Sequence, residues 1–175
     1  MALPVSMIYT KTVIDDEEHC MRVMYEMEKQ YTNRNEEFFI KVIREEPSLV
    51  LRVHAVTILA ELGTQKAIEA LSDVLLNDPD PLVRHEAAFS MGQIGLPSAN
   101  EALKKATLKD PDPVVRHESA AALGAIGSQD SRETLEKALE DKDEIVRNSA
   151  MTSLFNLRFL LRYPSLSLQN LAPRP

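Results

Sequence analysis

An all-α solenoid of about four helical hairpins, with an extra N-terminal helix, is the fold this sequence predicts, and three observations predict it. An arginine recurs at Arg52, Arg84, Arg116 and Arg147, a period of 32, 32 and 31 residues. Each arginine follows an acidic residue six positions earlier (Glu46, Asp78, Asp110, Asp141), and the first three units close on Gly63, Gly95 and Gly127. Ala and Leu dominate the apolar set, aromatics are 5% and Trp is absent, which suits tightly packed helices rather than a β-sandwich. A repeat of this length is one supersecondary unit that buries its apolar face only against its neighbours.

Taken in order, residues 1–13 show no clear periodicity and are expected to form an N-terminal arm. A first helix is expected after Asp15, running to about Tyr31. Its acidic start (Asp15, Asp16, Glu17, Glu18) suits a helix N-terminus, and Met21, Met24, Tyr25 and Met27 fall near one stripe that reads as packing. His19 and Cys20 then belong to a solvated helix start rather than a metal site. Thr32 to Asn35 is a turn, with Asn35 an N-cap for a second helix over 36–45. The first helices of the following units are expected at 65–76, 98–108 and 130–139. The second helices of the two middle units have Asp80 and Asp112 as N-caps and Pro81 and Pro113 at the first helical position, and they end on glycine. The last helix has no closing glycine and ends over 159–163. This divides the chain into an arm (1–13), a repeat domain (14–163) and a tail (164–175). The tail holds Pro164, Pro173 and Pro175.

With 175 residues, 44% of them hydrophobic and 27% charged, the chain has one domain's worth of core. A net charge of -7 argues against nucleic-acid binding, which draws its affinity from clustered Lys and Arg. The single cysteine, Cys20, excludes an intrachain disulfide and a cysteine-rich zinc site. No apolar run approaches the length of a membrane span, and residues 1–7 lack the basic start and apolar core of a signal peptide. The expected location is the cytoplasm, with no membrane partner.

The same dipeptide, His85-Glu86 and His117-Glu118, occurs 32 residues apart in the two central units. The flanking units carry Val53-His54 and Asn148-Ser149 there, so the pair is not a constant of the repeat. Equivalent positions on successive second helices lie side by side, about 8–10 Å apart between axes. Imidazole nitrogen and carboxylate oxygen together suit iron, manganese or zinc. One chain supplies few ligands for two ions, whereas a two-fold homodimer would bring the set twice to one cavity. His54 reads as a core or rim histidine, and Arg84 and Arg116 as a structural ladder that joins the turn to its helix or to the next unit.

The repeat pattern over about 36–158 resembles the short HEAT-like repeats of phycobilisome lyases. A narrower resemblance runs from about Leu51 to Leu160. It takes in His85-Glu86 followed by Gly92-Gln93, and Val115-Arg116-His117-Glu118 followed by Ala122-Leu123-Gly124-Ala125-Ile126-Gly127. In these the chain looks like one half of a deoxyhypusine hydroxylase, a family with two similar halves and two His-Glu motifs in each. The resemblance implies a metal-facing set of His85, Glu86, His117 and Glu118. It also implies two iron ions per homodimer, dioxygen as co-substrate, and a hypusine-bearing translation factor as the protein substrate. Two positions depart from the family pattern: Ala121 stands where an acidic residue is common, and Phe89 where Tyr is common.

The sequence therefore carries a first expectation of a non-haem di-iron monooxygenase whose groove, rich in Asp and Glu, draws in a cationic side chain. A second expectation is a non-enzymatic interaction, chaperone or lyase-related module, since fold does not imply function. A third is a zinc or manganese enzyme of another class.

Overall fold

The structure, a computed structural model, describes residues 5–166, with side chains from 17 to 166. Among these residues the chain forms nine α-helices and no strand. They are α1 (Val5–Thr32), α2 (Glu36–Glu45), α3 (Leu49–Leu62), α4 (Gln65–Asn77), α5 (Pro81–Ile94), α6 (Asn100–Lys109), α7 (Pro113–Ile126), α8 (Arg132–Ala138) and α9 (Glu144–Arg162). Four hairpins, α2–α3, α4–α5, α6–α7 and α8–α9, stack in sequence, and α1 packs on α2 and α3 at one end. The second helices form one layer, α3 on α5, α5 on α7 and α7 on α9, and the first helices form the other. The expected all-α solenoid is the observed fold. No helix among the described residues is long and apolar enough to cross a membrane.

Local chemistry sets the helix ends. The Asn35, Asp80 and Asp112 side chains accept hydrogen bonds from the amides of Phe38, Leu82 and Val114, and Thr64 does so for Ala67. These acceptors satisfy first-turn donors that have no partner within the helix. Gly63, Gly95 and Gly127 end α3, α5 and α7 in the left-handed conformation, at φ 63°, 74° and 74°, which L side chains rarely adopt. Between the layers runs a main apolar core that includes Phe39, Leu51, Leu71, Met91 and Leu123, all fully buried, with a smaller cluster of Ala138, Val146 and Ala150 at the last hairpin.

The arginine ladder joins both of the elements the sequence suggested. Arg84 donates to both Asp110 oxygens at 2.8 and 2.9 Å, and Arg116 to both Asp141 oxygens at 2.8 and 3.0 Å. The same guanidinium groups reach back to their own turns, at the carbonyls of Asp78 and Asp110, each at 2.9 Å. Arg52 pairs with Asp78 in the preceding rung. The hydrogen bond from Arg116 holds the Asp141 carboxyl below its ordinary pKa, against burial, which raises it. At the α1 end, His19 takes the arginine's part, its Nε2 lying 2.9 Å from Glu46. At the α9 end, Arg147 meets the carbonyls of Asp141 and Lys142 at 2.7 and 2.9 Å, with no carboxylate partner among the described residues.

Three expectations change. The first helix starts at Val5 rather than after Asp15, so the part of the expected arm over 5–13 is helical; residues 1–4 and 167–175, with most of the expected tail, lie outside the described residues. His19 and Cys20 are therefore mid-helix, and His19 is a ladder rung rather than a solvated helix start. The methionine stripe also divides: Met27 is buried, while Met21 and Met24 are exposed. The reason is that, among the described residues, α1 packs on α2 and α3 on one side only.

Candidate metal centre

The ladder and the small residues between second helices fix the register that brings the His-Glu pairs together. Each pair sits one turn into its helix, directly after a ladder arginine whose guanidinium is held by the next unit. His85 and His117 are thus neighbours across the α5–α7 seam. His85 Nε2 lies 3.4 Å from Glu118 Oε2, and His117 Nε2 lies 3.9 Å from the same oxygen. The hydrogen bond that His85 donates to Glu118 raises the His85 pKa above its ordinary value; burial opposes this, and the charges of Glu118, Glu86 and Asp112 add to it.

Each imidazole presents the same nitrogen. His117 Nδ1 is taken by Ser149 Oγ on α9 at 2.5 Å, which fixes the ring and leaves Nε2 toward Glu118. His85 Nδ1 is buried without a hydrogen-bond partner among the described residues, and its Nε2 is the nitrogen that faces Glu118. Glu86 is the member not drawn in. Its Oε1 accepts a long hydrogen bond, 3.4 Å, from Thr57 on α3. Of the four residues expected at the metal, the structure brings three together and places Glu86 beside them. His54 is exposed on α3, in keeping with a rim histidine.

Two donors of one ion, each about 2.1 Å from it, lie about 3–3.5 Å apart, so the pair of His85 and Glu118 has the separation that ligands of one ion require. Nitrogen and oxygen donors of these types suit iron, manganese or zinc, and the Ser149–His117 bond is the kind of outer contact that orients a ligating imidazole. The residues fit such an ion as a partial set. Among the described residues, no group of three or more His, Cys, Asp or Glu is placed to hold a metal ion within a single chain.

Beside His117 a cleft of about 370 Å³ opens between α7 and α9, lined by Ala121, Gly124, Asn148, Thr152 and Asn156 among others. It exists because the helices approach closely and small residues line them. A Cβ on Gly124 would lie 2.8 Å from Ser153 Cα. The seam is held by Ser153 Oγ donating to the Ala120 carbonyl at 2.8 Å and Asn156 Nδ2 to the Gly124 carbonyl at 2.7 Å. The cleft lining holds amides, hydroxyls and no carboxylate, which corrects the expectation of an acidic groove here. Sequence reasoning missed Ser149 and Thr57. Their one signal was register, since Ser149 stands where Glu118 stands in the preceding unit.

The family model for HEAT repeats matches residues 36–117 and 100–158. The structure of human deoxyhypusine hydroxylase in complex with glycerol is similar with a TM-score of 0.67 and 28% identity, over 72% of this chain and 44% of that one. The complex of CpcE and CpcF of phycocyanin lyase from Nostoc sp. PCC7120 is similar with a TM-score of 0.56 and 26% identity, over 75% of this chain and 55% of that one. The chain therefore spans about half the length of these solved chains. No curated protein matches it in sequence. The two matched stretches take in all four hairpins, and the chain belongs to the family of HEAT repeat proteins.

Proposed function

We propose that the chain contributes one half of a two-chain, iron-dependent oxygenase centre that hydroxylates a lysine-derived side chain of the deoxyhypusine type. The observation that carries this reading is the meeting of His85 Nε2 and His117 Nε2 at one oxygen of Glu118. The 28% identity to a deoxyhypusine hydroxylase supports it. Ligand counting brings in the second copy, because three converging donors, or four with Glu86, are too few for two ions that also keep open positions. The protein substrate would be a translation factor bearing deoxyhypusine, and the setting the cytoplasm.

In this reading His85, His117 and Glu118 hold the metal, and Ser149 keeps His117 in the orientation that offers Nε2. Glu86 joins by giving up its long bond to Thr57. Bound iron would provide the dioxygen activation that side chains cannot. Overall, one oxygen atom enters the C–H bond and the other leaves as water, with two electrons from an external reductant and two protons. The cleft beside His117 offers Asn148, Thr152 and Asn156 as hydrogen-bonding groups to a substrate segment.

A second reading, a non-enzymatic interaction or lyase-related module, is favoured by the likeness to the CpcE–CpcF complex and by the carboxylate-free cleft. Metal analysis after purification without a nickel column separates the two. The oxygenase reading expects about one iron per chain. It expects that iron to be lost in His117→Ala and its affinity to be reduced about 10–100-fold in Ser149→Ala, with helicity unchanged in both. Dimeric protein that takes up no metal from iron-rich medium sinks the oxygenase reading and leaves the module. Zinc or manganese alone points to a metal enzyme of another class.

A further inference from the structure

The two ends of the solenoid are apolar helix faces that nothing among the described residues covers, and their charges are opposite. At one end α1 exposes Met21 (66%) and Tyr25 (77%), and at the other α9 exposes Met151 (60%) and Phe155 (70%). Terminal repeats of a solenoid are ordinarily polar outside, because a bare apolar end associates. Around the α9 stripe, Arg158 and Arg162 have no carboxylate partner among the described residues, and α9 carries one acidic residue, Glu144. Around the α1 stripe the balance is reversed. Arg22 and Lys29 are each paired within the helix, to Glu18 at 3.1 Å and Glu26 at 3.6 Å, which leaves Glu17 and Glu28 in surplus.

The α9 face is not the bare end of a longer stack of the same kind. The α7 positions that receive α9 are small, Ala120 and Gly124, and α5 has Ala88 and Gly92 in that register. Their equivalents on α9 are Met151 and Phe155. A further hairpin could not approach α9 as closely as α9 approaches α7. The occupant instead meets large side chains with large side chains, and carries acid where α9 carries base.

We propose that this occupant is the α1 face of a second copy of the chain, so that α9 of each copy docks on α1 of the other. Residue i then meets j and j meets i, as a two-fold interface requires. Two contacts close the pair with no end left bare. The proposal rests on the two-copy reading above and names the surfaces through which the copies meet. These surfaces lie at the ends of the stack, away from the His-Glu pairs, so the contact does not need the metal.

Sedimentation velocity on the full chain, stripped of metal with chelator, tests it. The expected species is a dimer at micromolar concentration whose dissociation constant rises with salt, as screened charge pairs require. Phe155→Asp and Tyr25→Asp should each raise that constant at least about tenfold, because exposed aromatic anchors dominate such contacts. The double variant Arg158→Glu, Arg162→Glu does the same through charge alone, and covers the case in which an apolar substitution perturbs folding. An equimolar mixture of Phe155→Asp and Tyr25→Asp chains retains one intact contact and should associate more tightly than either variant alone. A monomeric wild type overturns the proposal, including one that binds anionic vesicles or covers α9 with its own tail. Loss of dimer in Phe155→Asp but not in Tyr25→Asp also overturns it, since α9 would then meet α9. A wild-type dimer unmoved by all three variants overturns these surfaces while leaving the oxygenase reading to its own metal test.

Discussion

Arg116 is the residue on which most of the site's position depends. Its guanidinium ties three pieces together: the Asp110 carbonyl of its own turn, and the Asp141 and Asp143 carboxylates of the next unit. His117 and Glu118 follow it directly in the chain. With the Arg116 side chain 6% exposed and Asp141 13% exposed, replacing one partner strands a buried charge, which costs about 3 kcal/mol. Arg116→Met should therefore lower the unfolding free energy at neutral pH by that order, read as a fall in the urea midpoint at unchanged slope. The pH dependence has a definite sign. The Asp141 pKa is lower in the folded chain than its ordinary 3.8, so its contribution is complete above that value and is lost as pH falls through the folded value. The stability gap between wild type and Arg116→Met should accordingly narrow on acidification below about pH 4. A gap that stays constant down to pH 2 would mean that Asp141 gains nothing from Arg116. Arginine and aspartate were legible as a pair from their recurrence. Which nitrogen of His117 is free was not, because Ser149 is a ladder-register residue of another unit and its hydroxyl carries no signal in sequence.

At the scale of elements, the α7–α9 seam is set by what is missing from Gly124. Alanine in mid-helix is intrinsically better than glycine by about 1 kcal/mol. At Gly92 a Cβ would sit 3.0 Å from Ala122 Cα and Cβ, a tight contact, whereas at Gly124 it would sit 2.5 Å from Ser153 Cβ and 2.8 Å from Ser153 Cα, closer than real Cβ atoms approach, so the helices would have to move apart. Overpacking costs about 1–3 kcal/mol, so Gly92→Ala should come out near neutral and Gly124→Ala clearly destabilising, as read by thermal melts of the two variants side by side. Equal melts would mean that α9 slides freely on α7. Much of this level could be read in the sequence. The Asp80-Pro81 and Asp112-Pro113 starts and the Gly95 and Gly127 stops are local signals with local causes, and they fell where expected. The length of α1 was not readable, because residues 5–13 lack the periodicity that marks a buried face. The inward turn of Met27 and outward turn of Met21 depend on where α2 and α3 lie. The contact of Glu86 with Thr57 was not readable for the same kind of reason. Adjacent residues diverge by about 100° on a helix, so His85 and Glu86 point across different seams, one toward α7 and the other toward α3.

On the scale of the whole molecule, the main contacts among the described residues run between neighbouring units, so stability is close to a sum of unit and seam terms. The ends then matter more than in a globular domain. At the α1 end Met27 is buried with Phe39 and Ile43 in the same core, and His19 closes the first rung on Glu46. Helix α1 therefore acts as a cap that stands in for the second helix of a preceding unit. A chain beginning at Asn33 loses that cap, and uncovers the α2 and α3 surfaces while touching nothing in α7 or α9. Its loss of amide hydrogen-exchange protection should be graded, greatest in α2 and α3, smaller in α5 and least in α7, because each seam passes on only part of the change. The same truncation removes the α1 partner from both proposed contacts between copies, so the shortened chain should also sediment as a monomer. Protection that falls equally from α2 to α9 would show that the stack opens as one unit, and the nearest-neighbour account would have to be given up. A graded loss would mean that the hairpins carrying His85 and His117 hold their register without help from the distant end, and that the half-site is formed before a second copy meets it.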